Sequence, residues 1–231
     1  MLLVKVPFIN GLSKTKGCEK APDKIIRKAN EIKVDNSNIK ESIKKIYKES
    51  LKFLKSEKRI LFIGGDHSIS YPLAKAFTKT TKKRKYLVVF DAHADCMPRM
   101  KEPTHEEWLR AVIEEKFFDK IILIGVRKIE PEEKKFLERR KEVEIVKDLN
   151  IIEDKGSYEI YLSIDIDVFD PSIAPGTGYK EKNGITKREF FNLIDKIKYQ
   201  IKVIDLVEVN PEKDINNKTI KLAREIIRKL K

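Results

Sequence analysis

Three short segments concentrate the side chains of this chain that bind cations. They read Gly64-Gly65-Asp66-His67-Ser68, Asp91-Ala92-His93-Ala94-Asp95 and Ser163-Ile164-Asp165-Ile166-Asp167. Together they offer two imidazoles (His67 and His93) and four carboxylates (Asp91, Asp95, Asp165 and Asp167). Oxygen and nitrogen donors without a thiolate favour Mn²⁺ over a structural Zn²⁺. Six such donors suit two divalent cations, and a cation pair implies hydrolysis by an activated water. Each segment alone has an ordinary reading as a turn, a cap or a satisfied polar residue. Joined at one place, four carboxylates would repel one another unless cations lay between them.

The elements that must position these residues are legible nearby. Apolar, β-branched runs occur at Leu2–Val6, Ile60–Ile63, Tyr86–Phe90, Lys120–Ile124, Val143–Val146, Glu159–Ile164 and Lys202–Val207. Each ligand segment directly follows one of them. Between the runs lie stretches with helical spacing, such as Ile39, Ile43, Ile46, Tyr47, Leu51 and Leu54. Ser68 reads as the cap of the next helix, Thr186 with Glu189 as a capping box, and Ile220 to Leu230 as a basic amphipathic helix. Strands alternating with helices predict an α/β fold, a three-layer α-β-α sandwich with a mostly parallel central sheet. Such sheets place their sites past the carboxyl ends of the strands. Side chains two apart on an extended segment point the same way, which predicts that Asp91, His93 and Asp95 project together, as do Asp165 and Asp167. The Gly64-Gly65 pair predicts a sharp bend ahead of His67.

The 231 residues suit one domain, 1–231. No run is long and apolar enough to span a bilayer, and the start reads as a strand rather than a signal peptide. Two distant cysteines, Cys18 and Cys96, fit free thiols in a cytoplasmic setting. Charged residues make up 38% of the chain and glutamine occurs once, a balance expected of a thermophile. The net charge of +13 raises nucleic-acid binding as a possibility. The lysines, however, are dispersed along helical faces without interleaved aromatics, which points to a solvated surface.

These motifs resemble the ureohydrolase family of arginases, agmatinases and related guanidino hydrolases, across nearly the whole chain. The run Ser163 to Pro171 with Ala174-Pro175-Gly176-Thr177-Gly178 is the most specific part. Gly17-Cys18-Glu19-Lys20-Ala21-Pro22 and Glu208-Val209-Asn210-Pro211 match the family's first and last motifs. The resemblance implies an arginase-like fold, two Mn²⁺ per chain, and hydrolysis of a small guanidino substrate to urea and an amine. It assigns His67, Asp91, Asp95 and Asp165 to one Mn²⁺, and Asp91, His93, Asp165 and Asp167 to the other, with Asp91 and Asp165 bridging. It also places Glu208 opposite the guanidinium and makes His105 the proton shuttle; with Asp165 these form the catalytic set. A homo-oligomer, trimer or hexamer, is implied as well, and no membrane partner.

Asp167-Val168-Phe169 and Ala174 to Gly178 look more like agmatinases than arginases, so agmatine is the favoured substrate. Two loops depart from the family: the short connection Cys96 to Thr104, and Tyr179-Lys180-Glu181-Lys182-Asn183-Gly184 where Thr-Pro and Gly-Gly are usual. Arg99, Lys101, Lys180 and Lys182 in these loops would suit a carboxylate tail, as in arginine or a formimino acid, whereas Glu102 or Glu181 would suit an amine. A metallophosphoesterase would need an Asn-His metal segment, and a deacetylase of related fold a His-His pair; neither occurs. The remaining alternative is a basic RNA-associated protein with a vestigial metal site.

Overall fold

The computed structural model describes residues 1–146 and 157–231. The strands are β1 (Leu2–Val6), β2 (Asn30–Glu31), β3 (Ile60–Gly64), β4 (Arg84–Phe90), β5 (Lys120–Ile124), β6 (Val143–Val146), β7 (Tyr158–Asp165) and β8 (Ile201–Val207). They form one sheet in the order β2-β1-β3-β8-β7-β4-β5-β6, and every adjacent pair is parallel. All seven strands expected from apolar runs are present. The addition, β2, is a two-residue exposed edge strand with no apolar run to announce it.

Alternation along the strands sorts their side chains to two faces. Leu61, Val88, Leu162 and Ile204 face α1 (Ala21–Ile25), α6 (Lys187–Ile197) and α7 (Lys218–Leu230). Phe62, Leu87, Tyr161 and Val203 face α2 (Ile39–Ser56), α3 (Ser70–Thr78), α4 (Trp108–Glu114) and α5 (Pro131–Leu137). This is the expected three-layer sandwich. The stripe on α2 packs inward as its spacing predicts, and Thr186 with Glu189 forms the capping box of α6.

One local expectation is corrected. Ser68 does not cap α3; it donates its backbone N–H and its hydroxyl to Asp66, which caps the short 3-10 turn His67–Ile69 ahead of that helix. The helix after His105 begins at Trp108, preceded by a turn over residues 105–107 held by hydrogen bonds between Thr104 and Glu107.

The topology decides where the site lies. After β3 the chain passes over two sheet positions to form β4, and β7 and β8 fill the gap later. Ile63, Leu206, Ile164 and Phe90 then fall in one row across the four central strands. Asp165 and Asp91 come immediately after that row, and Glu208 and His67 follow within a turn. Among the described residues, no helix is long and apolar enough to cross a membrane.

Candidate metal centre and active-site pocket

The six candidate ligand residues converge beyond the row. His67 Nδ1 lies 3.1 Å from Asp91 Oδ2, 3.0 Å from Asp95 Oδ2 and 3.3 Å from Asp165 Oδ2. His93 Nδ1 lies 2.9 Å from Asp167 Oδ2 and 3.7 Å from Asp91 Oδ1. Two groups therefore present ligand atoms close enough for one ion each: His67, Asp91 and Asp95, and Asp91, His93 and Asp167. Asp91 belongs to both, and Asp165 reaches the first.

Convergence does not arise from strand alternation. Asp95 has φ 47° and Asp167 lies in the 3-10 turn Ile166–Val168, so neither segment is extended. Instead Asp91 Oδ1 accepts the N–H of His93 at 2.7 Å, and Asp165 Oδ1 accepts that of Asp167 at 2.8 Å. Each turn uses one carboxylate oxygen and leaves the other free for the site. The chain bends at Gly65 and Asp66, ahead of His67 as expected, without positive φ at either glycine. A Cβ on Gly65 would strike the Phe8 carbonyl oxygen, and one on Gly64 the Ile69 side chain.

The electrostatics fit a cation. His67 Nδ1 and Asp91 Oδ2 are buried without a hydrogen-bond partner. Burial opposes charge on His67, yet Asp165, Asp91 and Asp95 outweigh it and carry its pKa well above the usual value. Burial acts likewise against Asp167 and Asp91 at His93, whose pKa is pushed up to about 12. Burial and the charge of Asp91 push Asp95 up to about 7. Burial, Asp167 and Asp91 push Asp165 well above the carboxylate range. Without a cation these groups hold protons to relieve their crowding; a divalent ion would replace the protons and favour the charged carboxylates.

The centre opens into a recess of about 340 Å³. His93, Asp95, Asp165 and Asp167 line it together with His105 and Glu208. His105 is 5% exposed, has no hydrogen-bond partner on either ring nitrogen, and is held below the usual histidine pKa chiefly by burial. Glu208 sits just past β8 with φ 62°. Its Oε1 accepts the N–H of His67 at 3.0 Å, and burial followed by Asp66 pushes its pKa well above the carboxylate range. The other lining residues include Lys14, Glu106, Lys128, Glu130, Tyr179 and Glu181.

Arg99, Lys101, Lys180 and Lys182 are not among the residues that line the recess. Arg99 instead pairs with Glu115 at 2.5 Å. Arg127 holds the departing loop in place, donating to the carbonyls of Asp167, Val168, Glu181 and Lys182. Several site residues carried no motif signal of their own. Trp108 packs on His67, Tyr179 stands beside His93 and His105, and Asp205 lies beneath His67. Cys18 and Cys96 are both free and buried, and Cys18 Sγ lies 3.7 Å from Glu208 Oε2.

Comparison with known proteins agrees with this geometry. The chain is 32% identical over 219 residues to the agmatinase of Bacillus cereus, covering 87% of this chain and 73% of that one. It is 30% identical over 200 residues to the mitochondrial arginase 1 of Arabidopsis thaliana, covering 80% of this chain. That match takes in only 58% of the plant protein's length, so this chain spans well under two thirds of the plant arginases it resembles. Among solved structures, the proclavaminate amidino hydrolase of Streptomyces clavuligerus superposes with a TM-score of 0.87 at 26% identity, over 99% of this chain and 89% of that one. The model of the arginase family matches residues 26–231. On this match and these likenesses, the chain belongs to the arginase family.

Proposed function

We propose that this protein is a binuclear manganese hydrolase that cleaves an amine-tailed guanidino compound, agmatine first among them, to urea and an amine. The observation that carries the reaction class is the shared recess, in which Glu208 and His105 flank the two groups of candidate ligands. His67, Asp91, Asp95 and Asp165 would hold one ion, and Asp91, His93, Asp165 and Asp167 the other. Two such ions would supply the charge that makes a water nucleophilic near neutral pH. Glu208 accepts hydrogen bonds from the planar guanidinium and fixes its carbon toward the centre. His105 is neutral at neutral pH, so a ring nitrogen can take up a proton and return it to the departing amine nitrogen as the C–N bond breaks.

The choice of an amine tail rests on the charges at the mouth. The lining lysines are already matched: Lys14 pairs with Glu106 at 2.6 Å and Lys128 with Glu130 at 3.3 Å. Glu181 also faces the recess, and its nearest cationic partner is His93, at 3.8 Å. The mouth thus holds more negative than positive charge, which attracts an amine and repels a carboxylate.

The test is urea release by Mn²⁺-loaded protein from agmatine, arginine and a guanidino acid, beside the Asp165→Ala, Asp167→Ala double variant. Urea from agmatine alone, lost in the variant, is the expected result. Urea from the guanidino acid in preference would reverse the tail assignment. No urea from any of the three would remove the reaction class.

A further inference from the structure

Beneath the metal centre lies a buried carboxylate that the proposed reaction does not use. Asp205, on β8, is completely buried, and no cation pairs with it among the described residues. Three hydroxyls converge on it instead. Ser163 Oγ donates to Oδ1 at 2.7 Å, Ser70 Oγ donates to Oδ2 at 2.7 Å, and the Tyr161 hydroxyl donates to Oδ2 as well. Burial, reinforced by Asp205, keeps the Tyr161 phenol protonated and therefore a donor. A buried carboxylate is costly, so three donors gathered on one point to a role.

The bonding order identifies that role. A serine hydroxyl has one proton, and Ser163 directs its proton to Asp205. Ser163 Oγ also lies 2.9 Å from His67 Nε2. Toward His67 it can therefore only accept, and Nε2 must carry the hydrogen. The opposite ring nitrogen, Nδ1, is the one that faces Asp91, Asp95 and Asp165. A hydrogen bond at one imidazole nitrogen decides which nitrogen is available to a cation.

We propose that Asp205 is a positioning residue for the metal centre: through Ser163 it fixes the orientation and tautomer of His67, so that Nδ1 is presented as a ligand atom. This rests on the metal-site reading given under Proposed function. The arrangement works as a carboxylate–histidine pair with a hydroxyl inserted between them. Its polarity depends on Asp205 having only acceptors on the Ser163 side. An asparagine would bring an N–H₂ donor into a cluster built of three donors, so at least one hydroxyl would have to turn and accept. If that hydroxyl is Ser163, its proton turns toward His67 Nε2, the hydrogen on the ring moves to Nδ1, and the ligand atom is blocked.

The test is Mn²⁺ binding, read as stoichiometry and dissociation constants from the electron paramagnetic resonance of free Mn²⁺, with thermal stability measured alongside. Asp205→Asn and Ser163→Ala should each weaken one of the two ions by roughly 10–100-fold, the range for loss of an outer partner of a metal-bound histidine. The double variant should be no worse than the poorer single variant, because both act through one bond. Ser163→Thr should restore binding. Ser70→Ala touches Asp205 but not His67, so it should lower the melting temperature and leave both dissociation constants within about twofold. If folded Asp205→Asn and Ser163→Ala bind both ions as tightly as the wild type, the inference is overturned and Asp205 is only a polar anchor of the core. Additive losses in the double variant would overturn it too. If Asp205→Asn does not fold, Ser163→Ala and Ser163→Thr decide alone. A wild-type chain that takes up no Mn²⁺ would remove the metal-site reading and this inference with it.

Discussion

The indole of Trp108 lies against the imidazole of His67, with ring centroids 4.5 Å apart, and its Nε1 donates to Asp95 Oδ2 at 2.9 Å. Trp108 is the only tryptophan of the chain and is completely buried. One residue thus touches two members of the same ligand group. Its fluorescence should change as Mn²⁺ enters, and Asp95→Ala should abolish the high-affinity part of that titration. A Mn²⁺ titration that leaves the emission unchanged would argue against occupancy of the group containing His67.

Proton competition sets the pH dependence of metal uptake. In the metal-free protein Asp95 holds its proton up to about pH 7, and His93 holds one up to about pH 12. Metal binding must displace these protons along with those that crowding keeps on His67 and Asp165, so affinity rises with pH and weakens as pH falls. The fall should steepen below pH 7, where Asp95 adds its proton to that of His93. Mn²⁺ dissociation constants at pH 6, 7 and 8 check the sign, and equal values would contradict it.

Glu208→Gln keeps an oxygen to accept the His67 N–H but removes the charge that a bound guanidinium would draw out on Glu208. The loss of a charge-assisted pairing of about 1.5–3 kcal/mol should lower kcat/KM by roughly 10–150-fold. Mn²⁺ stoichiometry should stay at the wild-type value. Steady-state kinetics and a metal titration on the same preparation separate the two effects.

Glu181→Gln tests the assignment of the substrate tail. The Glu181 side chain is 35% exposed, so its pairing with an amine is screened by solvent. A surface pair worth about 0.2–1 kcal/mol predicts a KM for agmatine raised by roughly 1.5–5-fold with kcat unchanged. KM for a guanidino acid should fall or hold. A drop in kcat alone would show that Glu181 acts on the chemistry instead.

Gly65→Ala should destabilise the fold, since its Cβ has no room beside the Phe8 carbonyl. Overpacking of this kind costs about 1–3 kcal/mol. Thermal unfolding of the metal-free protein measures it directly, and an unchanged melting temperature would show that the contact between Phe8 and Gly65, just past β1 and β3, yields freely.

Continuous apolar, β-branched runs and helical stripes determined the sheet-and-helix alternation, and with it the edge at which the ligand segments lie. Both are local patterns, carried by each segment's own side chains. The residue types themselves pointed to a candidate cation site, because four aspartates and two histidines at one edge call for positive charge between them. Tertiary structure alone decided the rest. Strand order brought β7 and β8 between β3 and β4, which joined Asp165 and Glu208 to His67 and Asp91. Turns, not extended backbone, aimed the carboxylates, because Asp91 and Asp165 each cap the residue two positions later. The recess excluded Arg99 and admitted Glu181, a choice made by where loop side chains find partners. Asp205 looked like one polar residue in an apolar strand. Its meaning comes only from Ser70, Tyr161 and Ser163, which reach it from α3 and β7.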